Sequence, residues 1–199
     1  RVVSNKTKMI AICNPNNPTG HIMPAAEREA VVKAAARVGA WLLADEVYAG
    51  AEHWTDEVTL SFWGQYERVV AIGSLSKAYG LPGLRIGWVV APPEAAETFW
   101  GYHDYTTISP GAISDRLATI ALQPERRARI LARTRGILRA NLPRVRAWLE
   151  ARADRFAWAP PEAGAIVFVR YRQAVNSTQL TTHLRERYGT LIVPGDQFG

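Results

Sequence analysis

The feature that most constrains the fold is the alternation of short apolar runs with helical or loop segments in the first half of the sequence. Apolar runs with the length and composition of strands occupy residues 9–13, 41–44, 69–72 and 84–91. Pro24 opens an Ala/Glu-rich stretch that predicts a helix to about residue 38, because proline suits a first helical turn. Strands that alternate with helices pack in layers. We therefore predict an α/β fold, a three-layer sandwich around a mostly parallel sheet.

The second half of the sequence has a different pattern. It predicts helices over residues 112–122 and 125–153, strands at 156–159 and 165–171, a helix over 177–188 and a strand at 191–193. Pro143 lies inside the second helix, where we expect a kink or a break. We assign residues 1–124 to a large sheet domain, 125–154 to a long connecting helix region and 155–199 to part of a smaller α+β domain.

Composition excludes several classes of function. The net charge of +6 invites a nucleic-acid partner, but most of the excess arginines lie between residues 125 and 156 among apolar residues at helical spacing. They are therefore expected on the solvated face of a helix, and no nucleic-acid partner is predicted. No apolar run approaches the roughly 18 residues of a membrane helix. Cys13 is the single cysteine, so no internal disulfide can form and a reducing cytoplasm fits.

Polar clusters follow the first three predicted strands. They are residues 14–20 (Asn-Pro-Asn-Asn-Pro-Thr-Gly), 45–48 (Asp-Glu-Val-Tyr) and 74–77 (Ser-Leu-Ser-Lys), with Arg85 further along the chain. Ligands of open α/β sheets bind beyond the carboxyl ends of the strands. We therefore expect an amide, an acid, a phenol, hydroxyls, an amine and a guanidinium in one crevice. Asp45 and Glu46 are adjacent on an extended chain, so at most one of them enters that crevice.

This set of groups suits one kind of cofactor. A lysine shielded from water can attack a carbonyl, hydroxyls with an arginine can bind a phosphate, and a carboxylate can hold a cationic ring nitrogen. Together these needs match pyridoxal phosphate (PLP). Each residue alone also has a simpler explanation, since a lone lysine is usually at the surface and a lone aspartate after a strand is usually a turn residue. The glycine spacing in residues 80–87 does not fit a dinucleotide fingerprint, and no metal site is predicted.

The same three segments resemble a known family. Residues 14–20 resemble the Asn-Pro-x-Asn-Pro-Thr-Gly loop of class I/II aminotransferases, which are fold-type I PLP enzymes with the aspartate-aminotransferase fold. Residues 45–48 resemble the acid-x-x-Tyr segment of that family, and residues 74–87 resemble its lysine signature almost residue for residue. The similarity continues through residues 104–110 to residues 193–199.

The resemblance implies a role for each matched residue near the cofactor ring. Lys77 would hold PLP as a Schiff base and shuttle the proton at the substrate α-carbon. Asp45 would bind the pyridine nitrogen and keep it protonated. Tyr48 and Asn17 would hydrogen-bond the phenolic oxygen of the ring. The four histidines match none of these positions, and we interpret them as ordinary polar or packing residues: His21, His53, His103 and His183.

The phosphate end of the cofactor is only partly accounted for. The resemblance implies that Ser74 and Arg85 bind the phosphate, with Ser76 as a helper. Three further parts of the family's site have no counterpart in the sequence: the upstream helix N-terminus that grips the phosphate, the upstream aromatic residue that stacks on the ring, and the arginine that binds the substrate carboxylate. We therefore expect these residues to belong to a longer chain, with that arginine following Gly199.

Three functions remain open from the sequence. The first is transfer of an amino group between an amino acid and a 2-oxo acid. The second is a PLP-dependent lyase or cyclase, because residues 104–110 and 193–199 also resemble capreomycidine synthases, cyclases that act on an arginine derivative. The third is a PLP-binding domain of a transcription regulator. The family resemblance also implies a homodimer in which residues near Tyr105–Ser109 approach the partner's cofactor.

Overall fold

The computed structural model describes residues 2–198 and contains one four-stranded sheet. The strands are β1 (Met9–Cys13), β2 (Trp41–Asp45), β3 (Val69–Ser74) and β4 (Gly87–Val90), in that spatial order. β1 pairs with β2 and β2 with β3 in parallel, whereas β4 returns antiparallel to β3. The predicted α/β fold with a mostly parallel sheet is confirmed.

Helix α1 (Ala25–Val38) covers one face of this sheet. Its Ala35 belongs to a buried cluster with Leu42 and Ala44 of β2, with residues of β3, and with Phe62 from the segment between these strands. The helix ends at Gly39, whose left-handed φ of 65° favours glycine. On the opposite face Met9 and Val89, in the two outer strands, are each 51% exposed.

Three helices follow the sheet. They are α2 (Pro93–His103), which the sequence reasoning did not predict, α3 (Ala112–Ala121) and α4 (Pro124–Glu150). Helix α4 is continuous over 27 residues, so a break at Pro143 is wrong. Proline removes one backbone N–H, but Leu142 and Leu149 are buried on either side and keep both halves packed. None of the described helices is both long and apolar enough to cross a membrane.

The final region contains a two-stranded antiparallel sheet of β5 (Phe156–Trp158) and β6 (Val169–Tyr171), followed by α5 (Ser177–Tyr188). The predicted strand at residues 191–193 is wrong. These apolar residues are exposed and have no partner strand among residues 2–198, and a strand needs such a partner to satisfy its backbone. Arg1 and Gly199, the ends of the domain assignments, lie outside the described residues.

Candidate active site

The carboxyl ends of the three parallel strands lie side by side. Cys13 pairs with Asp45, and Asp45 pairs with Ile72, so β1 and β2 end at the same level and β3 runs two residues further, to Ser74. The alignment continues one residue further, because the Asn14 N–H donates to the Asp45 carbonyl and the Glu46 N–H donates to the Ile72 carbonyl, each at 2.9 Å. The structure therefore brings the three predicted polar clusters to one edge of the sheet.

Tyr48 and Asn17 are in direct contact. The Asn17 Nδ2 donates to the Tyr48 phenolic oxygen at 3.3 Å, and Tyr48 is buried. Burial raises the pKa of Tyr48, and the nearby Cys13 and Asp45 raise it further. The phenol therefore keeps its proton near neutral pH. Because the Asn17 amide donates to the Tyr48 oxygen, that oxygen acts as the acceptor in this contact. The Tyr48 hydroxyl proton is therefore available to a second partner.

Asp45 and Glu46 point to opposite faces of the sheet, as the sequence analysis expected. The Asp45 Oδ1 accepts from the Val47 N–H at 3.2 Å on the Cys13 side. The Glu46 Oε1 accepts from the Phe62 N–H at 2.7 Å and from the Ser61 hydroxyl at 3.0 Å, on the side that α1 covers. Burial raises the pKa of Glu46 against the opposing effect of these donors. Glu46 therefore holds a loop, whereas Asp45 faces the crevice.

Lys77 lies in the tight turn after β3. Its Nζ is 6.0 Å from the centre of the Tyr48 ring, and its side chain is exposed. Ser74 and Ser76 lie in the same turn, where the Ser76 N–H donates to the Ser74 Oγ at 3.0 Å and that hydroxyl donates to the Ile86 carbonyl at 3.3 Å. The amine, the phenol and two hydroxyls thus share one region, although Ser74 bonds to its own chain.

Arg85 is the predicted site residue that stands apart. It is exposed, it has a left-handed φ of 54°, and its Nη1 donates to the Pro82 carbonyl at 2.7 Å. It follows the short 3₁₀ turn Pro82–Leu84 and precedes Gly87, which pairs with Ser74. The backbone therefore brings Arg85 to the same edge, while its guanidinium contacts neither Ser74 nor Ser76 among the described residues.

Two features of this site escaped the sequence reasoning. Cys13, which in sequence only excludes an internal disulfide, is half-buried beside Asp45, and burial raises the pKa of its thiol. The backbone of Gly164 packs against the Tyr48 ring. The Pro160–Pro161 pair and Gly164 indicate a turn, but nothing in the sequence connects that turn to a tyrosine so distant along the chain.

A buried ion pair anchors α4 to the loop that carries Tyr48. The Arg135 Nη2 donates to the Glu52 Oε2 at 2.7 Å, with both side chains buried. Burial works to raise the pKa of Glu52, but Arg135 and the N–H groups of Gly50 and Thr59 outweigh it and leave that pKa lowered. Most arginines of α4 are expected to face solvent, and Arg135 is an exception, because a carboxylate inside the protein requires a partner.

Comparison with known proteins identifies a common family. The sequence profile described as "Aminotransferase class I and II" matches residues 1–199. The chain is 32% identical over 199 residues to capreomycidine synthase of Streptomyces vinaceus, covering all of this chain and 50% of that protein. It is 35% identical over 165 residues to an aromatic amino acid aminotransferase of Rhodococcus erythropolis, covering 82% of this chain and 42% of that protein.

Among solved structures, a PLP-dependent aminotransferase from Streptococcus suis superimposes with a TM-score of 0.88 at 36% identity. The match covers 99% of this chain and 51% of that one. The chain thus spans about half the length of the relatives it matches.

Proposed function

The chain belongs to the class I and II aminotransferase family, and we propose that its protein is a PLP-dependent aminotransferase that moves an amino group from an amino acid to a 2-oxo acid. The observation that carries this proposal is the aligned set of strand ends, where Asp45, Tyr48 and Lys77 converge and Asn17 bonds the Tyr48 phenol. The activity, substrates and partners of the whole protein are all part of the proposal.

The residues present fit the cofactor. PLP carries a phenolic oxygen, a ring nitrogen that can be protonated, an aldehyde and a phosphate. The Tyr48 phenol retains a free proton and suits the phenolic oxygen. The Asp45 carboxylate uses one oxygen on the Val47 N–H and has its second oxygen without a partner among the described residues, so it suits a cationic nitrogen. Ser74 and Ser76 suit the phosphate once the Ser74 hydroxyl turns from the Ile86 carbonyl.

These residues divide the work by their chemistry. When bound, PLP supplies an aldehyde for covalent attachment and a ring that withdraws electrons from the substrate α-carbon. The Lys77 amine is the nucleophile for that attachment and the base that moves the proton at the α-carbon. Asp45 holds the proton on the ring nitrogen by charge. Tyr48 and Asn17 orient the ring, because a donor and its supporting amide define one position for the phenolic oxygen.

A second function has one observation in its favour. Capreomycidine synthase matches over the whole of this chain at 32% identity, and residues 104–110 and 193–199 resemble segments of such synthases. A PLP-dependent lyase or cyclase uses the same lysine and the same loss of an α-proton, so the residues described here support both chemistries. The two functions differ in the product that leaves.

The proposed homodimer has support in the exposed aromatic surface around α2. Trp100, Tyr102 and Tyr105 are 72%, 74% and 91% exposed, and Ile108 is 71% exposed. A contiguous stretch of large apolar side chains at a surface is typical of a protein interface. We propose that this segment contacts a second copy. A cytoplasmic location remains a prediction from the single cysteine.

The function is tested on the full-length protein incubated with PLP, 2-oxoglutarate or pyruvate, and a panel of amino acids that includes arginine and aromatic residues. We expect a new 2-oxo acid in proportion to the amino acid consumed. Borohydride reduction of the loaded protein should leave the pyridoxyl group on Lys77, and Lys77→Ala should abolish both results. Lys33→Ala is the matched control, because Lys33 pairs with Glu29 at the surface of α1. A cyclised or eliminated product in place of the 2-oxo acid would select the second function.

A further inference from the structure

Tyr48 has two neighbours that restrict it. The Asn17 amide bonds its phenolic oxygen, and the peptide backbone at Gly164 packs against its ring carbons. A Cβ placed on Gly164 would lie 3.2 Å from Tyr48 Cδ1 and 3.6 Å from Cε1, so this backbone packs directly on the ring. Gly164 also has a left-handed φ of 80°, a second reason for glycine at this position.

The Gly164 peptide is fixed by His53. The His53 Nε2 donates to the Gly164 carbonyl at 2.9 Å, in the interior of the protein. Backbone hydrogen bonds support the contact, because the His53 N–H donates to the Glu162 carbonyl at 2.8 Å and the Gly164 N–H donates to the Ala51 carbonyl at 3.0 Å. Residues 51–53 and 162–164 therefore pair as two short antiparallel segments. The His53 imidazole adds a side-chain hydrogen bond to this pairing at Gly164, the residue that contacts Tyr48.

His53 is held in place independently of Gly164. Its carbonyl accepts from the Arg139 Nε of α4 at 2.7 Å, and its neighbour Glu52 forms the buried pair with Arg135. Burial lowers the pKa of His53. The hydrogen bond to the Gly164 carbonyl partly opposes this lowering, and the charge of Arg139 adds to it. The imidazole is thus neutral near neutral pH. With the Nε2 proton donated to Gly164, the Nδ1 is a buried acceptor that has no partner within residues 2–198.

From these contacts we propose that His53 is a positioning residue, which acts through the Gly164 peptide to hold the Tyr48 ring at the phenolic oxygen of the cofactor. The proposal rests on the proposed PLP chemistry of the site. It goes beyond the interpretation of His53 as an ordinary polar or packing residue, since the imidazole donates to the peptide that packs on Tyr48. The Gly164 backbone limits the tilt of the Tyr48 ring, and the Asn17 amide fixes the far end of that ring.

The test compares His53→Leu, which removes the donor at similar volume, with His53→Gln, whose side-chain N–H can reach the same carbonyl. Both are made in the full-length protein, and Tyr48→Phe gives the reference effect. The readouts are the pH midpoint of the absorption change of bound PLP and the dissociation constant for PLP. We expect His53→Leu to shift the midpoint in the same direction as Tyr48→Phe and to weaken PLP binding about threefold to tenfold, the range expected for one net hydrogen bond. His53→Gln should retain the wild-type midpoint.

An unchanged midpoint in His53→Leu, beside a clear shift in Tyr48→Phe, would overturn the positioning role while leaving the proposed function intact. Failure of the proposed function has a different signature, namely no pyridoxyl adduct on Lys77 in the wild-type protein. Should His53→Leu not fold, the comparison passes to His53→Gln and His53→Asn. The longer amide reaches Gly164 and the shorter one does not, so equal midpoints in these two variants would refute the proposal.

Discussion

Replacing Arg135 by alanine tests whether the buried ion pair anchors α4 to the loop that carries Tyr48. The substitution leaves the Glu52 carboxylate buried without its cation. Breaking one partner of a buried pair generally costs about 3–5 kcal/mol of unfolding free energy. Glu52 keeps three donors, namely the Gly50 N–H at 2.9 Å and the Thr59 N–H and hydroxyl at 2.8 Å each. We therefore expect a loss near the lower end, about 3 kcal/mol at neutral pH.

The effect has a defined pH dependence. The pKa of Glu52 is lowered in the folded protein, so its contribution to stability is present above the unfolded value and is lost as pH falls through the folded value. Without Arg135, burial raises the pKa of Glu52 in the folded variant. Protonation of Glu52 then removes the free-energy cost of an unpaired buried charge. The difference between wild type and Arg135→Ala should therefore be largest near neutral pH, and it should shrink as pH falls through the raised Glu52 pKa of the variant and then through the lowered Glu52 pKa of the wild type.

The assay is urea unfolding of the apo full-length protein by circular dichroism at neutral and acidic pH. Arg144→Ala is the matched control, because Arg144 is an exposed arginine of the same helix, and its cost should stay within about 0.5 kcal/mol. The double variant Glu52→Gln with Arg135→Met should recover part of the loss, since it removes the uncompensated charge. A cost for Arg135→Ala equal to that of Arg144→Ala, or one independent of pH, would refute the anchoring argument.

Two further predictions address the site and the assembly. Asp45→Ala should retain PLP but slow the chemical step by about 10²–10³, the scale of one electrostatic contact. Glu46→Ala should keep the wild-type rate constant and lower the unfolding free energy by about 1–3 kcal/mol, because it leaves the Phe62 N–H unpaired. Equal rate losses in the two variants, measured by single-turnover kinetics, would contradict the assignment of Asp45 and Glu46 to opposite faces. The full-length protein should sediment as a dimer that Tyr105→Glu dissociates, because the substitution buries a charge at the proposed interface; a wild-type monomer with PLP bound and full activity would rule the dimer out.

The sequence by itself determined the features that depend on local pattern. Apolar runs flanked by polar residues located β1 to β3 within a residue or two, because a buried parallel strand needs a short continuous apolar stretch. The side-chain alternation of a strand also separated Asp45 from Glu46 before their contacts with Val47 and Phe62 were known. The polar clusters at the strand ends then placed the site, since parallel strands bring their carboxyl ends to one edge.

Local pattern misled where a residue's state depends on a distant partner. Residues 191–193 are as apolar as a strand, yet a strand forms only where another can bond to it. Arg135 lies on the same face of α4 as Leu131 and Leu142, yet only its distant partner Glu52 makes burial of its charge possible. Helix α2, with its exposed aromatic residues, lacks the one-sided pattern that marks a helix packed on a core.

The support of the site was decided by tertiary structure alone. His53, Gly164 and Tyr48 come together through contacts between loops that lie far apart in the sequence. Arginine is the residue type expected to bind a phosphate, but the position of the Arg85 guanidinium depends on the turn that contains Pro82. Propensity and periodicity act over a few residues, whereas packing and hydrogen bonding join residues without regard to sequence separation. For this reason the sequence could name the groups that we propose act on the cofactor, and only the folded chain could show what holds them in place.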